Sequence, residues 1–195
     1  PDCPPVTLGP PLFDTLFNTQ ITRRSGLFLG LPSLAPLTAF TVRAAGGRGA
    51  SEASLETPLK VLFVCTANIC RSPFMELTAR HLAGDSPIEF RSAGTHGFTD
   101  HPMNPEMTVT LEPRGVEGHQ DSLSRPLTKA ELDWADVVLT AEADHRQFIL
   151  DDHPALFRKV FTLGQFVDSL VGQDSLHGRE LLTAVGAHRT TASSE

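Results

Sequence analysis

The feature that most constrains this chain is a short string in its first half. Leu59-Lys60-Val61-Leu62-Phe63-Val64 is a nearly continuous apolar run. Such a run reads as a strand buried on both faces of a parallel sheet. It leads directly into Cys65-Thr66-Ala67-Asn68-Ile69-Cys70-Arg71, and then Ser72-Pro73 announces a helix, with Ser72 as N-cap and Pro73 at the first helical position. A loop between a strand and a helix N-terminus points several backbone N–H groups at one place. Together with the helix dipole it makes an anion site. The same field favours negative charge on Cys65, at the base of the loop. Arg71, at its end, offers a planar fork for two oxygens of a phosphate. These are the parts that phosphoryl transfer requires: an in-line nucleophile and fixed donors for the equatorial oxygens.

The rest of the middle segment repeats the alternation of strand and helix. Met75, Ala79 and Leu82 form one apolar stripe, with Gly84 placed to end that helix. Ile88–Arg91 reads as a second strand stopped by Ala93-Gly94, and Pro105–Glu112 as a helix with Gly115 beyond it. Thr128 caps a helix through Trp134, Asp136–Thr140 is a third strand, Glu142–Leu150 is helical, and Lys159–Thr162 is a fourth strand. Alternating strands and helices imply an α/β fold in which a parallel sheet, with Leu59–Val64 central, carries helices on both faces. Ligands in such sheets sit beyond the carboxyl ends of the strands, and Cys65 is the first residue past the first strand.

Composition limits the alternatives. Of 195 residues, 40% are hydrophobic, enough for a packed core, and the net charge of −7 comes without any Lys/Arg run. A general nucleic-acid surface is therefore not expected. No apolar stretch reaches the length of a membrane span, and no signal peptide is evident at the N-terminus. Three cysteines are too few for a disulfide framework and fit a reducing, cytoplasmic setting. Cys65 and Cys70 lack the further Cys or His ligands of a zinc site, so neither metal nor cofactor is expected. Cys70 lies close enough in sequence to Cys65 to form a protective disulfide under mild oxidation.

From Val64 to Pro73 the chain resembles the signature of the low-molecular-weight protein-tyrosine phosphatases, with bacterial, actinobacterial-like members the nearest in character. The resemblance continues through Ser92-Ala93-Gly94-Thr95, Ser124-Arg125-Pro126-Leu127-Thr128, Ala135–Thr140 and Phe161-Thr162-Leu163. It implies a three-layer α/β/α fold with a four-stranded parallel sheet and catalysis through a cysteinyl-phosphate intermediate. By the match, Cys65 and Arg71 are the catalytic pair. Thr66, Ala67, Asn68, Ile69, Cys70, Arg71 and Ser72 form the phosphate cradle, with Asn68 propping the loop and Ser72 supporting the thiolate. Expected substrates are phosphotyrosine proteins or small aryl phosphates.

Two departures from the family stand out. Ala67 occupies a usual glycine, where a left-handed backbone would be strained. The family's general acid comes from a late Asp-Pro pair, usually followed by Tyr, whereas this sequence has no Asp-Pro and no Tyr. Asp168 and Asp174 read as solvated helix surface or N-cap, which leaves the general acid unassigned. The expectation is a C-terminus that stops short of the acid-bearing loop.

The domain expectation is an appendage over 1–58 and a phosphatase-like domain over 59–195. Alternating Leu34, Pro36, Thr38, Phe40, Val42 and Ala44 resemble the late strands of a fibronectin type III domain. An irregular leader is the other reading of the appendage. His96, His101 and His119 read as solvated loop residues. The alternatives to a phosphatase are a small-thiol-coupled arsenate reductase and a non-catalytic phosphate-binding module.

Overall fold

The computed structural model describes residues 57–173 and 175–187. The alternating segment around Phe40, the position Asp174 and the last eight residues lie outside the described residues. Within them the element order is β1 (Leu59–Cys65), α1 (Arg71–Ala83), β2 (Ile88–Gly94), α2 (Pro105–Leu111), α3 (Lys129–Trp134), β3 (Val137–Thr140), α4 (Ala143–Asp152), β4 (Val160–Thr162), α5 (Leu163–Leu170) and α6 (Gly178–Ala187). Short 3-10 turns follow α2 at Glu112–Arg114 and α4 at Pro154–Arg158.

The strands form one four-stranded sheet in the order β2-β1-β3-β4, and every pairing is parallel. β1 is therefore an inner strand, as its apolar run requires. Its residues alternate between two cores because successive side chains leave opposite faces of a strand. Val61 and Phe63 pack with Phe90, Val137, Leu139 and Phe161 against α1, α5 and α6. Leu62 and Val64 pack with Ala93, Val138 and Val160 against α3 and α4.

The local chemistry explains most element ends. Thr128 accepts from the Glu131 amide to cap α3, and Asn104 accepts from the Glu106 amide to cap α2. Thr162 and Gln165 make a reciprocal capping box that starts α5 directly off β4. Gly84 ends α1 at φ 53°. Two sequence expectations are corrected. Helix α1 begins at Arg71 with Cys70 at the cap position, so Ser72 is inside the helix and not its N-cap. Strand β2 runs through Ala93 and Gly94 rather than stopping before them, and Gly94 pairs with Cys65.

Candidate active site

The carboxyl ends of β1, β2 and β3 converge on the loop from Cys65 to Arg71. The loop is anchored from outside by its carbonyl groups. The Cys65 carbonyl accepts from the Thr95 amide (2.9 Å), that of Thr66 from the His96 amide (2.8 Å), and that of Ile69 from the Asn104 amide (2.8 Å). The Ala67 carbonyl accepts from the Ser124 hydroxyl at 2.8 Å. Among the described residues all peptide bonds are trans, so an outward carbonyl turns the next N–H the opposite way. The N–H groups of Thr66, Ala67, Asn68 and Cys70 thus face the concave side of the loop. That is the arrangement of an anion-binding nest.

Close approach makes this packing possible. A Cβ on Gly94 would lie 2.5 Å from the Thr66 carbonyl oxygen, and one on Gly97 would lie 2.4 Å from that of Arg125. The Ser-Ala-Gly segment after β2 is therefore a backbone contact surface for the loop.

Asn68, not Ala67, carries the left-handed backbone, at φ 55°. The strain expected at Ala67 does not arise, because the turn falls one residue later on a side chain that can hold it. Asn68 is almost fully buried. Its amide nitrogen donates to the Ser72 and Ser92 hydroxyls, each at 2.9 Å, and its amide oxygen accepts from the Arg125 N–H at 2.8 Å. The network extends into the core, where the Ser92 hydroxyl donates to the buried Glu76 carboxylate at 2.6 Å and Arg80 pairs with Glu76.

Cys65 is a buried, free thiol, not bridged to Cys70. Its sulfur lies 2.9 Å from the Ser72 hydroxyl. Asn68 already donates to that oxygen, which leaves the hydroxyl proton for the sulfur or for the Ala93 carbonyl at 3.3 Å. This is why Ser72 is not a helix cap: its side chain is turned to the thiol.

Arg71 spans the loop's mouth. Nη2 donates to the Thr66 hydroxyl at 3.3 Å, and Nη1 pairs with Glu142 at 2.7 Å. Behind Thr66 stands His145 of α4, with Nε2 2.8 Å from the Thr66 hydroxyl. Burial, and next the Arg71 charge, hold His145 below the usual imidazole range, against the opposing pull of Glu142 and Asp144. Aromatic groups border the same side. His96 contacts Phe148 of α4 with ring centres 5.3 Å apart, and exposed Phe98 contacts His101 at 5.4 Å.

The structure thus brings together Cys65, Thr66, Asn68, Arg71 and Ser72. It adds Glu76, Glu142 and His145, to which the sequence assigns no site role, and it gives Ser92 and Ser124, so far only parts of the resemblance, a place in the loop's support. Three of them carried a signal. Glu142 and His145 directly follow β3, where the sheet's ligand-binding edge must lie, and Glu76 is one helical turn beyond Ser72 on the same face. Asp168 is exposed on α5. His96 and His101 are exposed as expected. His119 is not: it is buried, with Nδ1 3.1 Å from the Val116 carbonyl.

Comparison with known proteins agrees with this geometry. Residues 60–177 match the family of low molecular weight phosphotyrosine protein phosphatases. A protein-arginine-phosphatase of Geobacillus stearothermophilus is 35% identical over 118 residues, covering 59% of this chain and 76% of that protein. The low molecular weight protein-tyrosine-phosphatase PtpB of Staphylococcus aureus is 32% identical over 109 residues, 56% of this chain and 74% of its own. Among solved structures, the YwlE arginine phosphatase from Geobacillus stearothermophilus superposes with a TM-score of 0.51 at 30% identity, over 67% of this chain and 84% of that one. The tyrosine phosphatase Wzb from Escherichia coli K30, in complex with sulphate, gives a TM-score of 0.51 at 26% identity, over 66% and 88%. With its matched segment spanning the loop, the sheet and the helices that hold them, this chain belongs to the low molecular weight phosphotyrosine protein phosphatase family.

Proposed function

We propose that the chain hydrolyses aryl phosphate esters of the phosphotyrosine type, with Cys65 as nucleophile and Arg71 as the phosphate clamp. The observation that carries this reading is the buried Cys65 sulfur, 2.9 Å from Ser72, under a loop whose carbonyls are tied outward. The Cys65 sulfur attacks phosphorus, a sulfur–phosphorus bond forms, and the ester oxygen leaves with the bonding pair and takes up a proton. Water then attacks the cysteinyl phosphate, releasing phosphate and returning the thiolate. The loop N–H groups and Arg71 hold the three equatorial oxygens, where charge is spread. Ser72 stabilises the thiolate as nucleophile and as leaving group. The His96–Phe148 pair, where the His96 amide meets the Thr66 carbonyl, offers ring surfaces to an aryl group.

The proton for the leaving oxygen has no assigned donor in this sequence, which contains no Asp-Pro pair. General acid help is worth about 10²–10⁴ in rate and matters most for poor leaving groups. The chain of 195 residues is therefore expected to turn over p-nitrophenyl phosphate slowly and phosphotyrosine peptide more slowly still. Phosphoarginine is the second substrate to test, because the Geobacillus relative is an arginine phosphatase. Cys65→Ser should abolish turnover of all three while keeping vanadate binding. Arg71→Lys should weaken both, because an ammonium lacks the planar fork. Phosphate or vanadate binding without any Cys65-dependent turnover would make the chain a binding module. Arsenate-dependent thiol consumption would make it a reductase.

A further inference from the structure

Four side chains at the loop's mouth form a ring, of which the hydrolytic steps above use only Arg71. Arg71 Nη2 donates to the Thr66 hydroxyl (3.3 Å), which lies 2.8 Å from His145 Nε2. His145 Nδ1 faces Glu142 Oε2 at 3.9 Å, and Glu142 Oε1 returns to Arg71 Nη1 at 2.7 Å. The Glu142 carboxylate facing Nδ1 favours a proton on that nitrogen, which leaves Nε2 as the bare nitrogen that accepts the Thr66 proton, while the Thr66 oxygen accepts from Arg71. The remaining imidazole proton is on Nδ1, directed at the Glu142 carboxylate but too far for a hydrogen bond. Nδ1 is buried and has no hydrogen-bond partner among the described residues. A buried imidazole nitrogen left one step short of a carboxylate is costly unless its other contacts matter.

We propose that His145 is a positioning residue for the reaction: in its neutral form it holds Thr66, and through Thr66 it fixes the plane of the Arg71 guanidinium toward the phosphate. Glu142 grips the other side of the same fork, so Arg71 is set before an oxyanion arrives. Protonation of His145 undoes this in two ways. Nε2 becomes a donor, so the Thr66 hydroxyl loses the acceptor that held its orientation toward Arg71. The new imidazolium also competes with Arg71 for Glu142. The groups facing His145 are Arg71 from the loop, Glu142 and Asp144 from its own helix, and His96 from the turn after β2. Loss of the clamp therefore belongs to the acidic side of the pH profile.

The proposal rests on the phosphatase reading, and its test uses the full chain, with p-nitrophenyl phosphate turnover and orthovanadate affinity as readouts. His145→Ala should lower kcat/KM and vanadate affinity by about 10- to 100-fold, the scale of a misplaced catalytic group. Thr66→Val, at an exposed loop position that leaves the core intact, should do the same. The double variant should be little worse than either alone, since both cut one chain of contacts. His145→Gln should recover part of the loss, because an amide oxygen can accept from Thr66, and it should remove the acid-side ionisation. In an Arg71→Lys background, His145→Ala should have almost no further effect on vanadate binding. An undiminished effect in that background, or additive losses for Thr66→Val and His145→Ala, would overturn the positioning role. A wild-type chain that neither binds vanadate nor turns over substrate would overturn the phosphatase reading along with it. One that does both with full indifference to His145 would overturn the positioning role alone.

Discussion

Asn68 joins conformation and chemistry in a single side chain. Its φ of 55° is a region that L-residues enter at a cost of about 1 kcal/mol, and asparagine tolerates it better than most. Its amide also makes three buried hydrogen bonds, to Ser72, Ser92 and the Arg125 N–H. Asn68→Gly removes the bonds but relieves the backbone, whereas Asn68→Ala removes the bonds and adds strain. Both variants should lose about 1–3 kcal/mol for the groups left unpaired. Alanine should be the worse by about 1 kcal/mol. Urea denaturation of the two proteins measures that difference, and equal midpoints would show that the left-handed turn costs nothing here. The Ser72 proton is no longer directed by Asn68 in either variant, so turnover should fall in both.

At the scale of elements, the β1–loop–α1 unit was legible because everything it needs is contiguous. The apolar run, the cysteine, the arginine and Ser-Pro lie within fifteen residues or so, where periodicity and spacing carry information. The groups that complete the site were not legible for the opposite reason. Ser124 reaches Ala67 across a sequence separation of 57, and His145 reaches Thr66 across 79. No local pattern encodes such a meeting; only the strand order does. The left-handed residue is Asn68 rather than Ala67, a one-residue difference that a loop without repeating hydrogen bonds does not encode in its sequence. Two glycines at element ends separate two kinds of requirement. Gly94→Ala would drive a methyl into the Thr66 carbonyl, with the Ala67 carbonyl carbon 2.9 Å away, so the loop must move. Gly84→Ala at φ +53° meets no atom within 4 Å and pays only in backbone strain, about 1 kcal/mol. Gly94→Ala should therefore cost 100-fold or so in turnover for a small displacement of the loop, and Gly84→Ala should leave turnover unchanged. Comparable kcat values in the two variants would mean that the loop's shape does not depend on the β2 contact.

In the molecule as a whole, the sheet is buried on both faces, and its ends are fastened by charges. Asp136 accepts from the Lys60 N–H at 2.9 Å and pairs with Arg179 of α6, whose guanidinium also reaches the Pro58 carbonyl at 3.3 Å. Lys159 donates to the Leu132 and Ala135 carbonyls at 2.7 and 2.9 Å, closing the carboxyl end of α3. His145 is a source of pH-dependent stability near neutrality. Burial and the Arg71 charge lower its affinity for a proton in the folded chain, whereas in the unfolded chain it titrates near 6.5. Between those two points the unfolded state binds more protons, so stability rises with pH there. The contribution is complete above about 6.5 and is lost as the pH falls through that value toward the lower, folded one. His145→Gln has no such proton to bind. Urea midpoints measured from pH 8 down to 5 should fall more steeply for the wild type than for His145→Gln. Parallel curves across that window would show that the folded protein accommodates the imidazolium as readily as water does.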